Sequence, residues 1–135
     1  MSFFKTYGFI SKGMLHVSAR EAIELCSKGA VLIDVREEIL SGFKHFDVEK
    51  VIYLPASRFE KECDRLNRDF PYIFADSVGL HSIEIAHLAV SKGFKKVANL
   101  AGGILEWERD GFPLIVNNSE QLSGSCVCQL KYRNR

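Results

Sequence analysis

The sequence predicts one α/β domain: a three-layer, mainly parallel five-stranded sheet with helices on both faces. Short apolar runs rich in β-branched residues recur along the chain, and helical segments separate them. That alternation argues for parallel strands joined by crossover helices. Two of the helical segments also open on one signature, Ser18-Ala-Arg-Glu21 and Ser57-Arg-Phe-Glu60. In such a capping box the serine accepts from the third backbone N–H while the glutamate reaches back. A length of 135 residues suits a single domain.

The elements follow in order. Leu15-His-Val17 reads as an edge strand, and Ser18 then opens a helix to about Lys28 with Ala22, Leu25 and Cys26 inward. Gly29 stops it. Strands are expected at Val31-Leu-Ile33, Val51-Ile-Tyr-Leu54, Tyr72-Ile-Phe74 and Lys96-Val-Ala-Asn-Leu100, since strands buried on both faces read as continuous apolar runs. A second helix runs from Ser57 to about Leu66 and must end before Pro71. A third follows Ser82 as far as Lys92, and a fourth runs from Gly103 to Asp110, before Gly111 and Pro113. The expected organisation is an N-terminal arm over 1–14, a domain over 15–116, and a tail over 117–135 that loses periodicity and carries Cys126-Val-Cys128.

Composition excludes several functions. With 47% hydrophobic residues, 26% charged and a formal charge of +1, the chain gives no electrostatic case for nucleic acid. No stretch approaches the roughly 18 uninterrupted apolar residues of a membrane span, so no membrane association is expected and the protein reads as cytoplasmic. Four cysteines, Cys26, Cys63, Cys126 and Cys128, are too unevenly placed for a disulfide framework. His16 and His45 do not cluster with cysteine, so neither a metal nor another cofactor is expected.

The segment FADSVGLHS, residues 74–82, joins a strand to a helix. In parallel α/β folds ligands bind beyond the carboxyl ends of strands, and helix N-termini aim N–H groups at anions. The loop Ala75, Asp76, Ser77, Val78, Gly79, Leu80, His81 and Ser82 is therefore the candidate site, with Asp76 and His81 its chemistry-bearing members. Asp76 is expected to accept from the loop's own N–H groups, which makes it both a cap and a resident anion. Elsewhere, Gly102-Gly103 permits a tight strand-to-helix turn, Trp107 is a core anchor, and Asp34-Val-Arg36 ties loops together, with Arg36 partnered by Glu37, Glu38 or Glu106. One residue between Cys126 and Cys128 sets both thiols on one side of an extended chain.

Five motifs in order give these readings a common frame: Ile33-Asp-Val-Arg-Glu37; Tyr53-Leu-Pro-Ala56; the strand–loop–helix at 72–92; Gly93-Phe94; and Asn99-Leu-Ala-Gly-Gly-Ile104 followed by Trp107, Gly111 and Pro113. From about His16 to Leu114 the chain resembles a single-domain rhodanese, the sulfurtransferase fold. The resemblance implies an active loop that begins with a cysteine, which takes sulfur from a donor as a persulfide, and closes with Arg-Ser at the helix start. Aligned on Gly79 and Ser82, the cysteine position falls at Asp76 and the arginine position at His81; a loop longer by two residues places it at Phe74. Neither register supplies a thiol, and a carboxylate cannot carry a sulfane sulfur as a thiolate does. The expected function is thus a rhodanese-like module without ordinary sulfurtransferase activity that binds or regulates, through a protein partner or a small sulfur-containing anion. The alternative is a sulfurtransferase or sulfur carrier that uses Cys126 or Cys128. Phosphatase chemistry on this fold would need the same missing cysteine and arginine.

Overall fold

The computed structural model describes residues 3, 4, 6–37 and 44–116. A short hairpin comes first: β1 (Phe9–Ser11) and β2 (Met14–Val17) pair antiparallel, with Phe9 opposite His16. Lys12 and Gly13, at φ 52° and 76°, form its two-residue turn, the left-handed geometry that matches strand twist. Then follow α1 (Ala19–Ser27), β3 (Val31–Asp34), β4 (Lys44–Phe46), β5 (Val51–Tyr53), α2 (Ala56–Glu62) with a 3₁₀ turn at Cys63–Arg65, and β6 (Pro71–Ala75). The chain continues through α3 (His81–Ser91), β7 (Lys96–Leu100), α4 (Gly103–Arg109) and β8 (Leu114–Val116).

The main sheet runs β1-β2-β7-β6-β3-β5, parallel except for the β1–β2 pair. β6 is central, and its register sets Phe74 between Ile33 and Asn99. Side chains alternate across the sheet and divide the core in two. One face packs Val17, Leu32, Ile73 and Leu100 with Leu25 of α1 and Trp107 of α4; the other packs Ile33, Tyr72 and Phe74 with Phe59 of α2 and Ala86 and Ala89 of α3. This is the expected three-layer α/β arrangement.

The structure differs from expectation in four places. The sheet has six strands, because Phe9–Ser11, within the expected N-terminal arm, pairs with β2; Phe4 is buried in the core. Three residues between Gly8 and Lys12-Gly13 are too short a run to read as a strand. Leu15-His-Val17 consequently lies inside the sheet. The second capping box does not form, since Ala56 N–H already bonds to Val35 O and starts the helix early, with Pro55 at the N-cap. Ser57 instead donates from Oγ to Glu37 Oε1 at 3.0 Å, and its N–H bonds to Oε2 at 3.2 Å. The capping box at Ser18 and Glu21 is complete. A separate two-stranded sheet joins β4 to β8, with His45 opposite Ile115. The tail call, with Cys126 and Cys128, lies outside the described residues. No helix among the described residues is long and apolar enough to cross a membrane.

Candidate functional site

The loop after β6 is held from both sides. Its carbonyls face α4, where Asp76 O accepts from Ile104 N–H at 2.9 Å and Ser77 O from Leu105 N–H at 3.0 Å. Two N–H groups that a helix start leaves without an intrahelical partner are thereby satisfied. The contact is close enough to dictate glycine. At Gly103, φ is +59°, and a Cβ would stand 2.5 Å from Ser77 O; at Gly79, φ is +91°, and a Cβ would stand 2.9 Å from Gly102 N. Gly102 and Gly103 therefore do more than permit a turn: they let the β7–α4 corner seat the loop.

With the Asp76 and Ser77 carbonyls held by α4, the N–H groups of Gly79, His81 and Ser82 converge on the Asp76 side chain. Asp76 is 5% exposed. Its Oδ1 accepts from Gly79 N–H, and its Oδ2 from His81 N–H at 2.7 Å and Ser82 N–H at 3.1 Å. Two of those donors belong to the first turn of α3, so the helix dipole adds to the hydrogen bonds. Phe74 lies inside β6, wholly buried against Phe59 and Tyr72, and does not reach the loop. His81 is exposed: its backbone serves Asp76, while its side chain stands at the edge of a neighbouring pocket.

A buried polar chain continues behind the carboxylate. Ser82 Oγ donates to Asn99 Oδ1 on β7, and Asn99 Nδ2 donates to Gly79 O at 3.2 Å and to His16 Nδ1 at 3.2 Å. His16 Nε2 then faces Ser11 O at 3.3 Å, and the ring stacks on Phe9 with centroids 5.2 Å apart. These partners are mutually consistent only if Nδ1 is the bare ring nitrogen and Nε2 carries the proton. Sequence reasoning assigned no role to Asn99 or His16. An asparagine and a histidine on strands buried on both faces were the available signal, because a buried polar side chain needs a partner.

On the other side of Asp76 a pocket of about 190 Å³ opens between the loop, α2 and the end of β3, lined by Val35, Arg36, Glu37, Ala56, Asp76, Ser77, Val78 and His81. Arg36 contributes no free donor fork to it. Its guanidinium grips Asp34, Nε to Oδ1 at 3.0 Å and Nη2 to Oδ2 at 2.8 Å, and Nη2 also bonds to Lys44 O at 2.6 Å; of the expected partners, Glu38 lies outside the described residues. Both side chains are buried. The two residues face each other because Asp34 ends β3 and also accepts from Arg36 N–H at 3.1 Å, an Asx-type turn. Trp107 is fully buried edge-on to Phe46, and its Nε1 donates to Pro113 O at 2.7 Å. Cys26 is buried in α1, and burial, reinforced by Glu49, pushes its thiol up to about 12. Cys63 is buried beyond α2. Among the described residues no group of three His, Cys, Asp or Glu side chains is placed to hold a metal ion.

A mainly parallel sheet whose central strand ends in a loop of converging N–H groups at a helix start defines an α/β protein. The chain belongs to the Rhodanese-like domain family, whose profile matches residues 18–110. Among its relatives, rhodanese-like domain-containing protein 17 of Arabidopsis thaliana is 27% identical over 121 residues, 79% of this chain and 76% of that protein. The thiosulfate sulfurtransferase GlpE of Actinobacillus pleuropneumoniae is also 27% identical, over 106 residues, 78% of this chain and 96% of that one. The fold is shared with the polysulfide-sulfur transferase homodimer of Wolinella succinogenes, at a TM-score of 0.70 and 20% identity over 82% of this chain and 84% of that one. It is shared too with a rhodanese-related protein of Thermoplasma volcanium, at 0.67 and 24% identity over 76% and 98%.

Proposed function

We propose that this chain is a rhodanese-like binding or regulatory module without ordinary sulfurtransferase activity, in which Asp76 stands at the nucleophile position and occupies the cradle that a persulfide would need. One observation carries the reading: the Asp76 carboxylate accepts the N–H groups of Gly79, His81 and Ser82. Those donors are committed, and a carboxylate cannot hold a sulfane sulfur. His81 stands at the arginine position, where it supplies no permanent charge.

The test is thiosulfate-to-cyanide sulfur transfer. Turnover is expected near background, and the double variant Asp76→Cys with His81→Arg is expected to gain some, since it supplies a thiol and releases the loop donors. Turnover like that of an ordinary rhodanese in the unaltered chain would refute the reading.

The competing reading, sulfur carriage by Cys126 or Cys128, draws support from relatives named as thiosulfate sulfurtransferases and from the Cys-Val-Cys spacing. Intact mass after incubation with thiosulfate separates the two. A gain of one sulfur that disappears on deleting residues after 118 would favour the tail.

A further inference from the structure

We infer that a groove at the end of the sheet remote from Asp76 binds a small anion with an apolar body, of the aromatic carboxylate class. At about 400 Å³ the groove falls within the roughly 300–1,000 Å³ of small-molecule sites. It lies where Val31 opens β3, Lys50 precedes β5 and Tyr72 enters β6. Those strands are parallel, so the Asp76 loop stands beyond their other ends, and the inference is independent of its chemistry.

The walls set the body of the ligand. Val31 and Tyr72 are buried at the floor, and Ile52 and Leu66 are half-buried beside them. Phe70 lines the same groove and is 46% exposed, an open aromatic ring against which a flat apolar group packs. The turn that carries Phe70 is fixed in advance. Asn67 Oδ1 accepts from Asp69 N–H at 2.9 Å, while Asn67 O accepts from Phe70 N–H at 3.2 Å and from the Tyr72 hydroxyl at 2.8 Å. Little ordering is then left for a ligand to impose.

The polar groups set the head. The charged lining residues are Lys50 and Arg65, and none is a carboxylate. Among the described residues, basic side chains such as those of Lys28, Lys44, Arg68 and Arg109 are held by acids, whereas those of Lys50 and Arg65 make no such pair. The acids nearby in sequence are engaged elsewhere. Asp64 bonds to Arg68 at 2.9 Å and Asp69 to Lys95 at 3.5 Å. Glu49 acts on Cys26, which belongs to the core on the face of the sheet opposite Ile52 and Leu66. Asn67, whose side-chain carbonyl is already used, adds an amide NH₂. Two cations and an amide donor above apolar walls select an anionic head on an apolar body. A cationic ligand would meet two like charges there and no carboxylate.

The experiment titrates the ¹⁵N-labelled protein with naphthylacetate, the neutral naphthylacetamide, the cationic naphthylethylamine and plain acetate, and follows backbone amide resonances. Naphthylacetate is expected to shift the Ile52, Asn67 and Phe70 amides saturably and to leave those of Gly79, His81 and Ser82 unmoved. It should bind about fivefold more tightly than naphthylacetamide, the preference that two exposed ion pairs give. The amine should bind more weakly than the amide, and acetate, which lacks the body, should not saturate. Lys50→Gln combined with Arg65→Gln should erase the preference for acid over amide; both side chains are exposed, so the fold tolerates the change. Equal binding of acid and amide by the parent protein, a preference that survives the double variant, or acetate binding as tightly as naphthylacetate would overturn the inference. So would the absence of a saturable shift, or a shift confined to the loop from Gly79 to Ser82.

Discussion

Gly103 meets Ser77 so closely that a Cβ on the glycine would sit 2.5 Å from the Ser77 carbonyl oxygen. The corner between β7 and α4 is therefore the mould in which the loop is set, and its φ of +59° disfavours any side chain independently of space. Gly103→Ala should lower stability by about 2–3 kcal/mol, the sum of positive-φ strain and overpacking. Urea unfolding reads it, and an unchanged midpoint would show that the corner yields.

Asp76→Ala removes one anion and leaves three N–H donors facing the space it filled. A stability loss of about 3 kcal/mol is expected from stranding donors that had bonded to a charge. Sulfate should restore part of it in the variant and much less in the parent protein, since only the variant has a free cradle. Thermal melting across sulfate concentrations decides this. Parallel curves for the two proteins would mean that the loop has collapsed or that its donors turn elsewhere.

The buried Asp34–Arg36 pair gives a double-mutant test. Arg36→Met strands a buried carboxylate and should cost about 3–5 kcal/mol, whereas the double change Asp34→Leu with Arg36→Met should recover much of that loss. Denaturant midpoints of Arg36→Met, Asp34→Leu and the double variant check the pattern. If the double variant is as unstable as the two single losses added together, the pair is not the coupled unit its geometry implies.

Cys26 predicts an alkaline dependence. Burial raises its folded pKa to about 12, above the roughly 8.5 of a free thiol, so the folded state favours the protonated form. The associated stability is complete below about pH 8.5 and is lost as pH rises towards about 12. Comparing the unfolding free energies of the parent and Cys26→Ala through that range should show a steeper decline in the parent. Identical slopes would place the thiol's environment nearer to water.

Much of the fold was legible in the sequence because periodicity carries it. Runs such as Lys96–Leu100 can be covered on both faces only in a parallel sheet, and Gly29 and Gly93 mark helix ends through positive φ. What escaped had weak local signals. Phe9–Ser11 is three residues long and gains its strand geometry from β2. Ser57 and Glu60 satisfy a capping pattern locally, but the Ala56-to-Val35 bond starts α2 before that pattern can act. At the site, the loop and Asp76 were readable from the strand–turn–helix order. The grip of Arg36 on Asp34 was not, because an Asx-type turn and Glu37 capping compete for the same few residues. Nor was the Ser82–Asn99–His16 chain, in which Asn99 and His16 lie 83 residues apart and meet only when β2 docks against β7.

That last pairing orders events during synthesis. β2 leaves the ribosome early, yet its parallel neighbour is the last strand of the main sheet to emerge, and until then β2 has only the β1 hairpin beside it. Strands β3, β5 and β6 can associate as a half-sheet, with α2 covering one face. The hairpin must wait for residues 96–100. Closing so long a loop is entropically slow, so the nascent chain carries an unpaired strand beside a partly assembled sheet, the state in which misassembly competes with folding.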